Sequence, residues 1–286
     1  MDAAPTIRDS LAQVTALRQQ RTAHPALGAA VASVKSLQAR RFRGTYADLM
    51  HSPVTGPAVR FFLQELYSDT DYTDRDAQFA RIAGTLQTVF PQAVVGTAQA
   101  LAVLHAQTEG LDHAMGDAWL AQAAAAGANN RALAANHGAI DDGGSQGGVC
   151  APVRENSAGE SGHADQHHAA LYVAAWRSVG QRPAREQQLQ RVLAMGTDLA
   201  RLTRMPGLRT MLRMMRGPAT AAGMGALQKF LEAGFDTFGQ LARQRGGVPE
   251  FLSTIEARER ALIDQMFDAE PVACETKLAL TLGQAR

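Results

Sequence analysis

Apolar residues recur three and four positions apart through nearly the whole 286-residue chain, and this spacing narrows the fold more than any other feature. A helix turns once in about 3.6 residues, so such spacing lines up one apolar stripe, whereas a half-buried strand needs strict alternation. Leu11, Val14 and Leu17 form a first run and Leu27, Val31 and Val34 a second, with Pro25 between them as a helix-opening residue. The spacing predicts helices over 5–23 and 25–50. Thr55-Gly56-Pro57 makes a turn, and Val59, Phe62, Leu63 and Leu66 stripe a short helix ending near Tyr67. Thr73 with Asp76 approximates a capping box and opens a helix through Phe79, Ile82, Leu86 and Val89. Pro91 starts a helix expected over 92–122, through Leu101, Leu104, Leu111, Met115 and Trp119. Helical texture resumes at Leu171, Val173 and Trp176, and Pro183, Pro206, Pro218 and Pro249 each mark a new start. No run rich in valine, isoleucine and aromatics alternates between turn residues, so the expected fold is all-α, a helical bundle.

Between Ala124 and His167 the texture changes to alanine repeats, then GAIDDGGSQGG and RENSAGESG, with few large apolar side chains to bury. This glycine- and alanine-rich segment is expected to be a long disordered insertion. Residues 1–123 then supply the N-terminal helices of a single bundle and 168–286 its C-terminal helices.

Lys plus Arg number 28 against 27 Asp plus Glu, for a formal charge of +1, which excludes a strongly basic nucleic-acid binder or an acidic tail protein. Two cysteines exclude a disulfide scaffold, and Cys150 and Cys274 are expected as reduced thiols. The first residues, MDAAPTIRDS, carry an acid at the second position and no apolar core, unlike a secretory signal, and no stretch has the roughly 20 apolar residues of a membrane span. A cytoplasmic protein is expected. Pairing into a homodimer is compatible with an alanine-rich bundle, with no symmetry fixed by the residues.

The segment Phe61-Phe62-Leu63-Gln64-Glu65-Leu66-Tyr67 resembles the signature of the FFLEELY motif proteins, an uncharacterised bacterial group, with Gln64 in place of the motif's first glutamate. The resemblance extends through YTDRDAQFARI, LHAQTEGLD, LTRMPGLRTMLRMMRGPA, LQKFLEAGFDTF and VACET, and so covers most of 45–280. It implies a family without implying an activity, cofactor or catalytic residue. On a helical wheel Gln64 lies opposite the Val59, Phe62, Leu66 stripe, where solvent accepts either residue.

Three constellations are candidates for chemistry. The paired phenylalanines of the FFLQELY helix are expected in the core rather than on a docking surface, and Glu65 beside them, partly buried, calls for an arginine partner. His105, Glu109, Asp112 and His113 share a helix; His105, Glu109 and His113 follow at intervals of four and Asp112 falls on the apolar face, so they are the candidate ligands of a metal site. The pattern is incomplete, since no second helix carries an obvious histidine and glutamate pair. Third, the acid-free stretch Leu199–Leu231 carries Arg201, Arg204, Arg209, Arg213, Arg216 and Lys229 interleaved with Met205, Met211, Met214, Met215 and Met224. Guanidinium groups suit anions and methionines make an adaptable apolar surface, although Glu65, Asp69, Asp71, Asp74 and Asp76 offer an internal counter-surface to the same charge. Glycines at 223, 225, 234 and 239 match no phosphate loop and are better explained by close helix packing.

The leading reading is a non-enzymatic helical protein binding a protein partner or a small anionic or apolar ligand, with Arg201, Arg204, Arg209, Arg213, Arg216, Met211, Met214 and Met215 as contact residues. The alternatives are a metal-dependent oxidative enzyme using His105, Glu109, Asp112 and His113, and a peripheral binder of anionic membranes. No cofactor is indicated by any motif.

Overall fold

The computed structural model describes residues 3–65, 72–138, 157–221 and 225–285. Among them the chain is helical, with no strand. Proline punctuation works as the sequence predicts. Pro25 opens α2 (Pro25–Thr45) after α1 (Ala3–Ala23), and α3 (Ala47–Met50) continues the second expected helix beyond a break at Tyr46. Then come α4 (Gly56–Glu65), α5 (Thr73–Ile82), α6 (Leu86–Val89) and α7 (Gln92–Gly138). The C-terminal half holds α8 (Ser157–Val179), α9 (Arg182–Leu202), α10 (Leu208–Met214), α11 (Arg216–Ala221), α12 (Gly225–Leu241), α13 (Gly247–Asp268) and α14 (Pro271–Gly283).

The helices on either side reach into the expected insertion. α7 runs to Gly138 instead of ending near 122, and α8 begins at Ser157. Alanine is the strongest helix former, so the alanine run prolongs α7 even where large apolar residues are scarce. Residues 139–156, including Cys150, lie outside the described residues.

The expected capping box at the start of α5 is not made. Tyr72 occupies the N-cap without a side-chain cap bond, and the Asp76 carboxylate is committed to Arg18 at 2.7 Å and to His105 Nε2 at 2.9 Å. An inward ion pair has displaced the local cap.

α7 is the central strut. It packs against α1, α2, α8 and α9, while α14 lies across α2 and α8, and α13 along α9. Two large apolar clusters result. One gathers Ile7, Phe42, Phe62, Leu104, Phe238 and Ile255 among others, and the second gathers Val34, Met115, Trp119, Trp176, Met266 and Leu282. The FFLQELY phenylalanines belong to the first: Phe61 stacks on Phe230 at 5.7 Å, and Phe62 meets Phe251 at 5.5 Å. Gln64 faces solvent, and half-buried Glu65 has the arginine it calls for, Arg75 Nη1 at 3.1 Å. Gly234 of α12 lets Phe61 approach, since a Cβ there would sit 3.1 Å from the Phe61 ring. Gly239 meets only ordinary contacts, Gly225 meets nothing, and Gly223 lies outside the described residues.

Between the two clusters runs a polar layer. On α2, Gln38 and Arg41 separate Leu37 from Phe42; on α7, Glu109 and Asp112 separate Leu104 from Met115; on α13, Glu259 separates Ile255 from Met266. All five polar side chains are buried.

Candidate functional site

The arginine- and methionine-rich segment folds into the end of α9, α10, α11 and the start of α12. In α10 the periodicity divides the side chains: Leu208 and Leu212 are buried, while Arg209, Arg213 and Met214 face solvent, Met214 at 74% exposure. Met211 and Met215 are half-buried. Beneath α10 the two leucines wall an apolar cleft completed by Phe90 and Val94 near the start of α7, by Met195, Leu199 and Leu202 of α9, and by Phe230 and Phe235 of α12. It encloses about 710 Å³, its open mouth included, and Thr97 is the single polar residue in its lining among the described residues.

At Leu212 and Phe235 this cleft adjoins a small notch lined by Arg209, Arg213, Arg216, Glu232 and Asp236. The counter-charges here are not the 65–76 acids that the sequence offered. Arg209 pairs with Asp236 at 2.8 Å, and Arg216 clasps Glu232, its Nε 2.7 Å from Oε1. Arg201 pairs with Asp198 at 3.2 Å. Glu65 and Asp76 serve Arg75, Arg18 and His105 instead, and Asp69 and Asp71 lie outside the described residues. The Arg216 hydrogen bond holds the Glu232 carboxyl below its usual range, with Gln228 and the charge of Arg213 adding to the effect. Arg213 makes no ion pair among the described residues, so three guanidiniums face two carboxylates and the notch carries an excess positive charge. Arg204 lies away from it, lining a shallow surface groove with Arg201 and Glu256.

The His105, Glu109, Asp112 and His113 set does not converge. His105 turns to Asp76, and His113 Nε2 lies 3.7 Å from Asp117. Glu109 accepts from Lys35 through Oε1 and from Arg21 Nη1 through Oε2 at 2.6 Å. Burial alone would raise its pKa, but Lys35 and Arg21 outweigh burial and hold it at about 2. Asp112 behaves oppositely. Complete burial pushes its carboxyl up, the Glu109 charge adds to the rise, and Lys35, Arg185 and a 3.1 Å hydrogen bond from Gln38 only partly offset it. Among the described residues no three His, Cys, Asp or Glu side chains are grouped to hold a metal ion. Glu109 is an ion-paired anchor between α1, α2 and α7.

Sequence reasoning missed Asp236 and Gln228, which fix α10 to α12, and Glu232, which fixes α11 to α12 through Arg216; Gln228 Nε2 donates to the Leu212 carbonyl at 2.6 Å. Their signal was the interval of four along α12 from Gln228 through Glu232 to Asp236, which puts all three on one face. No helix among the described residues is long and apolar enough to cross a membrane. No curated protein and no solved structure matches the chain. A family described as a domain of unknown function (DUF8198) matches residues 17–142 and 156–273, which include α9, α10 and the cleft's other walls, and the chain belongs to that family.

Proposed function

We propose that this protein is a non-enzymatic binder of a small amphiphilic anion, with the apolar part in the α10 cleft and the anionic head at Arg209 and Arg213. One observation carries the reading: the same short helix walls an apolar cleft with Leu208 and Leu212 and sets guanidiniums at its adjoining edge. Apolar pockets with a few polar groups at one end are the usual form of small-molecule sites. Each methylene buried contributes about 0.8 kcal/mol before the costs of immobilisation, so an eight-carbon chain supplies useful but modest affinity. The charged head then adds discrimination, because Arg213 makes no ion pair among the described residues.

Calorimetric titration with octanoate and with octanol tests this. Octanoate is expected to bind about tenfold more tightly, equivalent to about 1.4 kcal/mol, with a negative heat-capacity change from apolar burial. Arg213→Gln should remove most of that preference and leave octanol binding unchanged. Equal binding of both ligands, or none of either, would overturn the proposal.

A further inference from the structure

The outer face of α10 combines exposed guanidiniums with an exposed apolar side chain. Thr210 and Met214 lie four residues apart on one exposed ridge of this helix, and Arg209 and Arg213 lie four apart on the exposed ridge beside it. Met214 is the most exposed large apolar side chain among the described residues. Arg216, at the start of α11, is exposed as well. From Leu208 to Leu241 the sequence sets Arg209, Arg213, Arg216 and Lys229 against Glu232 and Asp236, a formal +2 in a chain whose total is +1. Both acids are already engaged, Asp236 by Arg209 at 2.8 Å and Glu232 by Arg216 and, at 2.8 Å, by Gln228. The charge of Arg213 also acts on Glu232. The side chains of Arg209 and Arg216 nevertheless remain at least half exposed, so an anionic surface can still reach them. A methionine as exposed as Met214 is stabilised only where an apolar medium meets it, and the charge around it has the sign that an anionic surface attracts.

We infer that α10 is the docking face for an anionic lipid bilayer, with Arg209, Arg213 and Arg216 among the phosphate headgroups and Met214 at the acyl boundary beneath them. The choice of partner rests on the amphiphile reading of the cleft: single-chain anions with alkyl tails partition into bilayers, and docking would set the charged edge of the cleft against that reservoir. An acidic peptide or a nucleic acid would satisfy the arginines and leave Met214 in water. Adsorption is peripheral, because the seven residues of α10 span about 10 Å of a hydrocarbon core about 30 Å thick. Each basic residue near such a surface strengthens adsorption about fivefold, and the attraction fades within about 10 Å at about 0.1 M salt.

Co-sedimentation of the full chain with vesicles tests the docking face. Vesicles of phosphatidylcholine and phosphatidylglycerol in equal parts are expected to bind about tenfold more tightly than pure phosphatidylcholine, and to lose that advantage near 1 M salt, where the screening length is about 3 Å. Arg213→Gln should weaken adsorption about fivefold. Met214→Ser should weaken it several-fold and leave the octanoate titration in solution unchanged, because Met214 lines neither the cleft nor the notch. Equal binding to both kinds of vesicle, or binding that Met214→Ser and Arg213→Gln leave unchanged, would overturn the inference. So would capture by polyglutamate as tight as by the anionic vesicles, which would mark the face as a seat for an acidic chain. Octanoate binding without vesicle binding would overturn the docking face and leave the cleft reading standing. Vesicle binding of the expected pattern without octanoate binding would uphold the docking face and overturn the cleft reading.

Discussion

Glu109 is a buried carboxylate held between Arg21 and Lys35. The interval of four that links it to His105 and His113 was legible, because spacing within one helix is local information. Its partners were not, since Arg21 and Lys35 lie 88 and 74 residues earlier in the chain, on separate helices. Glu65 was the easier case: a half-buried carboxylate calls for an arginine, and Arg75 is ten residues away. The asymmetry predicts what substitution does. Glu109→Gln strands Lys35 and Arg21 at a largely buried position and should cost about 3–5 kcal/mol in chemical denaturation. Asp112→Asn keeps an acceptor for Gln38 and removes a charge that burial disfavours, so it should leave stability within about 1 kcal/mol of the parent or raise it. A larger loss for Asp112→Asn than for Glu109→Gln would contradict these assignments.

At the scale of helices, the positions most easily read were starts, because proline fixes a local backbone angle whatever surrounds it. Pro25 and Pro183 fall in the first turns of α2 and α9 as expected. Ends and contacts were harder, since they depend on what packs alongside. Nothing in the sequence near Gly44 shows that α14 crosses there, yet a Cβ at Gly44 would press on the Thr281 carbonyl oxygen. Gly96, on an exposed face of α7, has no such neighbour. Gly96→Ala should therefore raise stability by about 1 kcal/mol through helix propensity. Gly44→Ala should lower it by about 1–3 kcal/mol, because a backbone atom must move. Thermal denaturation of the two variants checks both signs. The division of α10 into leucines facing in and arginines facing out was likewise implicit in its periodicity, but the cleft beneath it was not, since its walls come from α7, α9 and α12.

Across the whole molecule, two apolar clusters separated by buried ions make stability depend on pH in a definite direction. Glu109 titrates at about 2 in the folded protein, below its ordinary value of 4.5. Its contribution is therefore complete above pH 4.5 and lost as pH falls towards 2. A shift of this size corresponds to about 3 kcal/mol. Asp112 and Glu65, both raised by burial, act with the opposite sign, because the folded state holds their protons more tightly as pH falls. The urea midpoint of the parent should drop more between pH 5 and 3 than that of Glu109→Gln, which lacks the titrating group; parallel profiles would show that Glu109 does not govern the acid limb. All-helical architecture could be read from the chain because it is the sum of local patterns. The polar layer could not, because it exists only once α2, α7 and α13 are set in register.

The central claim, an amphiphilic anion in the α10 cleft, is most directly tested by methyl NMR of the protein labelled at methionine during titration with octanoate. Met195 lines the cleft and Met211 packs beside it, whereas Met115 and Met266 lie in the other apolar cluster. The account predicts saturable shifts at Met195 and Met211 with Met115 and Met266 unmoved; no shifts, or shifts centred on Met115 and Met266, would contradict it.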